Sequence, residues 1–298
     1  MTTLDLVREM LASRLDARQL DWHERAAREI GAGVEPGRFC ALLSQASRST
    51  PRGALNPDER ERERAAERLP GWDPERWTTL ECHRVALCLS RSDLDQPSCE
   101  VALAEAFRFA DVGESCALYR ALAHLPSPRR FAARAGEGAR SNMRVVFEAA
   151  CCDTPYPVRW FDDTAWRQAV IKALFVEAPL WRVHGLDERL DAELARMALD
   201  LADERRSAGR TVNPELWMCL GAHGGARGLA ALEHELAAGP PAGRAAACLA
   251  LARAGERERL AACLESETAA DVRATIRAAL EGRRDQRAFA GLSPTLGA

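Results

Sequence analysis

Lysine is nearly absent from this 298-residue sequence: one, Lys172, stands against forty arginines. A GC-rich coding sequence drifts towards alanine and arginine codons without selection on the protein, so the bias assigns no function. An excess of positive charge is also missing. With 41 basic and 44 acidic residues, a formal net charge of -3 and a pI near 6.1, the chain has no broad basic field to hold nucleic-acid phosphates or an anionic membrane. Nucleic acid is therefore not an expected partner. No uninterrupted apolar run reaches the roughly 18 residues that a membrane span requires, so no direct membrane insertion is expected and the reading is a cytoplasmic protein. The ten cysteines lack the C-x-x-C pairs of a zinc knuckle, and Cys82, His83 and Cys88 find no second half-site at a recognisable spacing. We expect no metal, no cofactor, and reduced, mostly buried thiols.

β-branched runs bounded by hairpin turns are missing too. The short stretch MRVVF (143–147) is strand-like, but it sits inside a helical context. What is present is helix, punctuated by VEPGR, LNPDE, GWDPE and LPSPR, with helices predicted near 2–30, 35–48, 57–69, 74–91, 97–111, 114–124, 127–136 and 139–152. The expected fold is all-α. The run DERERERAAERL (58–69) reads as a solvated face with local ion pairs, and residues 50–56 before it as a mobile loop. From Leu229 and again from Leu260 the chain reads as a helix pair, which suggests a HEAT-like array of stacked antiparallel pairs. Residues 1–150 form an N-terminal helical part and 151–298 a C-terminal one, read as one continuous domain. The ending DQRAFAGLSPTLGA is expected to be a poorly ordered tail.

Residues 155–220 raise the functional question. PYPVRWFDDTAW gathers Tyr156, Trp160, Phe161 and Trp166 around Arg159, Asp162 and Asp163, just before a helix that is apolar nearly all round. The two aspartates read either as a helix cap and a dipole complement or as ligand-binding groups. Gln168 and Lys172 are four residues apart and share a helix face among Val170, Ile171, Leu174, Phe175 and Val176, so Lys172 is expected to be at least partly buried. A buried ammonium loses its proton or finds a carboxylate. It could close an internal ion pair, anchor an anion, or act as a nucleophile or base. Further on, Gly185 permits a turn, Asp187 is placed at a helix start, and TVNPELW has Asn213 as cap with Glu215 near the positive end of the dipole.

Residues 166–217 resemble the EboA family of metabolite-traffic proteins, through K-A-L-F at 172–175, G-L-D at 185–187, L-A-R-M at 194–197, D-E-R-x-x-A-G-R at 203–210 and N-P-E-L-W at 213–217. The resemblance implies an accessory protein encoded with a prenyltransferase-like membrane enzyme and several sugar-phosphate or hydrolase-like enzymes, assisting export or maturation of a secondary-metabolite precursor. It supplies no catalytic residues.

Three functions stand open on the sequence. The first is a non-catalytic accessory protein that binds a small metabolite or a pathway enzyme, with Arg159 and Lys172 attracting an anionic group, Trp160, Trp166 and Trp217 as flat walls, and Asp162, Asp163 and Gln168 completing the set. The second is an enzyme with Lys172 as nucleophile or base. The third is a protein-binding helical scaffold.

Overall fold

Thr2, Asp16, Asp58, Thr78 and Asp111 each accept a hydrogen bond from the amide three residues on, and the acid or glutamine at that third position bonds back to the cap amide. These capping boxes satisfy otherwise orphaned helix-start donors. They open five helices of a computed structural model that describes residues 2–292. In chain order the helices are α1 (Thr3–Ala12), α2 (Ala17–Gly31), α3 (Pro36–Ser49), α4 (Glu59–Arg68), α5 (Thr79–Leu89), α6 (Pro97–Phe109), α7 (Val112–Ala121), α8 (Ala132–Ala139), α9 (Arg144–Cys151), α10 (Tyr156–Trp160) and α11 (Asp163–Phe175). There follow α12 (Ala192–Ser207), α13 (Gly225–Ala238), α14 (Pro241–Ala254), α15 (Arg257–Ser266) and α16 (Ala270–Leu280). The fold is all-α, and MRVVF belongs to the start of α9. The chain divides into two units, one up to Trp166 and one from Arg167.

In the first unit α5 is the hub, with α1, α2, α3 and α7 packed on it. All its residues except Glu81 are buried, among them His83 and Arg84. Burying a guanidinium demands partners, and Arg84 finds them: Nε donates to the Leu43 carbonyl at 3.1 Å and Nη2 to Glu114 at 3.2 Å. Arg120 of α7 returns a bond to Glu81 at 2.9 Å. The imidazoles of His23 and His83 pack edge to face at 4.6 Å, and His83 Nδ1 lies 2.6 Å from Thr50 Oγ1.

Two local expectations are corrected here. The run 58–69 is largely exposed, as expected, but its ion pairs are not local: Arg64 bonds to Glu9, Arg62 to Asp73, and Glu61 is drawn inward to Arg14. Residues 50–56 are pinned by a bridge between Ala54 and Thr78 and by the Leu55 amide, 2.8 Å from the Trp77 carbonyl.

In the second unit α14 is the hub, carrying α13, α15 and α16. Residues 245–252 of α14 are all buried, and five of these eight are alanine, which keeps the hub thin. The two C-terminal helix pairs read from the sequence are α13/α14 and α15/α16, an arrangement compatible with stacked repeats. The expected tail divides. Residues 285–292 include a 3-10 turn, Gln286–Phe289, that buries Phe289, whereas 293–298 lie outside the described residues.

Candidate functional site

Pro155 and Pro157 set up the single turn of α10. The Tyr156 hydroxyl donates to the Pro128 carbonyl at 2.6 Å, and the Trp160 ring lies 4.8 Å from the Tyr156 ring. Arg159 is exposed, with Nη2 3.3 Å from the Pro70 carbonyl. Asp162 takes the capping role at the start of α11: Oδ1 accepts from the Ala165 amide at 2.8 Å. Asp163, exposed in the first turn, complements the dipole. Trp166 is buried, and the exposed Gln168 and half-buried Lys172 share a face of α11 as their spacing predicted.

Trp217, fully buried in a 3-10 segment (Pro214–Cys219), lies under the Arg206 guanidinium at 5.3 Å. Asn213 caps that segment, accepting from the Glu215 amide at 3.0 Å. The Glu215 carboxylate is itself fully buried and accepts from the Leu180 amide rather than standing free at a helix end. Asp187 lies in a 3-10 turn after Gly185, and Asp191 is the residue that caps α12.

The cluster around Arg206 was not singled out in the sequence. Helix α12 ends at Ser207, Gly209 takes a left-handed φ of 64°, and the Arg210 amide closes back on the Arg205 carbonyl at 2.8 Å. This turn brings Arg206 and Arg210 into the lining of a cleft of about 220 Å³, together with His234 and Glu235 of α13. Glu235 is buried, 5 % exposed, and Arg206 Nη2 bonds both its carboxylate at 3.1 Å and the Ala231 carbonyl at 3.2 Å. Arg206 is thereby held from behind, and its Nη1 and Nε are not used by these two bonds. Room for the carboxylate comes from Gly239 and Gly243, where an added Cβ would stand 2.5 and 2.1 Å from Glu235 Oε1. The missing signal lay in those glycines: only the fold shows that they face one glutamate.

Burial keeps several thiols and imidazoles of the interior neutral. Burial pushes the Cys88 and Cys219 thiols up to about 12, and lowers His23 to about 4 and His83 and His124 to about 3. Among the described residues no group of three or more His, Cys, Asp or Glu side chains could hold a metal ion, and no helix is long and apolar enough to cross a membrane.

A family model described as metabolite traffic protein EboA matches residues 3–221. The match reaches well beyond the 166–217 resemblance and takes in the whole first unit, leaving α13 to α16 outside it. No curated protein and no solved structure matches the chain.

Proposed function

This chain belongs to the EboA family, and we propose that it serves metabolite traffic as a non-catalytic accessory protein of the cytoplasm, holding a small anionic metabolite for enzymes of the same biosynthetic cluster. The observation that supports this reading is the cleft in which Arg206, fixed by Glu235, stands beside Arg210 and His234. Two guanidiniums in one cleft suit a phosphate or carboxylate, because each offers paired N–H donors in a fixed plane. Lys172 and Gln168 on α11, which do not line this cleft, are proposed as a separate contact set, in keeping with the sequence-based residues.

The test titrates inorganic pyrophosphate and a prenyl diphosphate into the full-length chain by calorimetry. Arg210→Ala and His234→Ala change exposed residues and leave the buried Arg206–Glu235 pair in place. Together they are expected to weaken binding about tenfold, the loss of about one charge-assisted contact. Lys172→Met and Arg159→Ala test the sequence-based residues separately. Binding unchanged in all four variants, or no binding by the parent, would overturn the reading.

A second reading, docking of a protein partner, is favoured by one observation. The starts of α7 and α9 lie together, with Cys116 Sγ 3.6 Å from the Val145 carbonyl, and there Val112, Met143 and Val145 are 42, 49 and 55 % exposed, with Phe109 close in sequence at 65 %. That reading expects a pathway enzyme to co-elute with the chain and to be lost on Phe109→Ser.

A further inference from the structure

Helices α14 and α15 fold back on each other at Gly255, whose left-handed φ of 84° turns the chain. In such a hairpin, residues equally far from the bend stand opposite each other. The register is fixed by an ion pair: Arg244 of α14 and Glu267, the residue that ends α15, meet through two bonds of 2.8 and 3.0 Å. Four residues nearer the bend on each helix, one turn, come Cys248 and Cys263. Three residues further come Leu251 and Leu260, each only 1 % exposed. The hairpin therefore carries a ladder of ion pair, thiol pair and leucine pair on its inner face. Ala245 and Ala252, about one turn to either side of Cys248, are buried with minimal side chains, which lets the neighbouring helix approach closely.

The register set by the Arg244–Glu267 pair puts the two thiols opposite each other, and they differ in access. Cys248 is 1 % exposed, while Cys263 is half-buried and reachable from solvent. We propose that Cys248 and Cys263 are an oxidation site, a dithiol that reacts with hydroperoxides and closes to an intrachain disulfide, with Cys263 attacking and Cys248 resolving. The chemistry of the pair agrees. The neighbouring Cys248 thiol lowers Cys263 to about 7, while Cys263 and burial push Cys248 up, so the thiolate is favoured at the sulfur that solvent can reach. Glu267, which opposes ionisation of Cys263, is held by Arg244.

With hydrogen peroxide the step balances as follows. The Cys263 thiolate attacks one peroxide oxygen, an S–O bond forms, the O–O bond breaks, and hydroxide leaves to become water. Cys248 sulfur then attacks Cys263 sulfur, an S–S bond forms, the S–O bond breaks, and the departing hydroxide takes the Cys248 proton as a second water. Two thiols are oxidised and one peroxide is reduced to two waters. The site lies in the part of the chain outside the family match, so it goes beyond the binding role proposed above.

The experiment treats the reduced full-length chain with one equivalent of hydrogen peroxide, alkylates free thiols and maps tryptic peptides. The expected product joins peptide 245–253 to peptide 260–273 with loss of two hydrogens, and dithiothreitol separates them. In Cys248→Ser the oxidation should stop at a Cys263 sulfenic acid that dimedone captures. Without peroxide, Cys263 should be alkylated on the order of tenfold faster than the other half-buried cysteine, Cys40, whose thiol burial pushes up. Cys263 advancing to sulfinic acid with no linked peptide, or alkylation of Cys263 no faster than Cys40, would overturn the proposal.

Discussion

Each unit is built round a buried helix, and α5 and α14 solve that problem in opposite ways. Helix α5 takes His83 and Arg84 into the interior and surrounds them with Thr50, Leu43 and Glu114. Helix α14 buries alanine, cysteine and leucine all round and relies on closeness. The difference teaches where each unit is vulnerable. A polar hub is exposed to changes of charge, because an unpaired buried ion costs several kcal/mol. A thin hub is exposed to changes of volume, because nothing between the helices can yield.

The largest effect of a single substitution should come from volume in the second unit. Gly243→Ala places a methyl group 2.1 Å from Glu235 Oε1, so the buried carboxylate must shift from its place beside Arg206. The expected cost is about 2–3 kcal/mol, read as a lower denaturation midpoint. Gly37→Ala in α3 is the control: the nearest atom to its Cβ is the Glu105 carboxylate at 3.8 Å, and the change should stabilise by about 0.5 kcal/mol through helix propensity. Equal effects at the two positions would break the comparison.

Next comes acid, which should act on the first unit. An unfolded imidazole titrates near 6.5, whereas burial lowers His23 to about 4 and His83 and His124 to about 3. The unfolded chain therefore binds protons that the fold refuses. The stability from keeping these rings neutral is fully present above about pH 6.5 and is lost as pH falls towards 4. The loss should be on the order of 2 kcal/mol per imidazole by pH 4, seen as a falling denaturation midpoint that His124→Phe flattens. A midpoint independent of pH over that window would contradict the assignment.

The smallest effect is local. Asp16→Ala removes an exposed capping box from α2 and should cost about 1 kcal/mol, measurable by the same denaturation series.

Several elements were legible in the sequence because their causes are local. The Gly185 turn, the sharing of one α11 face by Gln168 and Lys172, and the cap at Asn213 each depend on neighbours within a few residues. Asp162 was read as either cap or ligand group, and the amide of Ala165 shows it capping. Other features were hidden because their partners are distant. The alternating charges of α4 have the pattern of local pairs, yet Arg64 reaches Glu9 of α1 and Glu61 reaches Arg14 just beyond that helix. Arg206 carries no special local pattern and becomes part of a cleft only where α12 meets α13. Cys248 and Cys263, 15 residues apart in sequence, face each other only because the hairpin at Gly255 sets their register.

The sequence by itself determined the all-α class, many of the helix starts and stops, and the resemblance that the family match extends. These rest on periodicity, caps and glycine, which act within one or two turns of backbone. Only the tertiary structure decided which charges are buried in pairs, which glycines make room for Glu235, and which thiols meet. Such pairings are fixed by the packing of helices far apart in the chain, where desolvation and steric exclusion, rather than local propensity, select the partner.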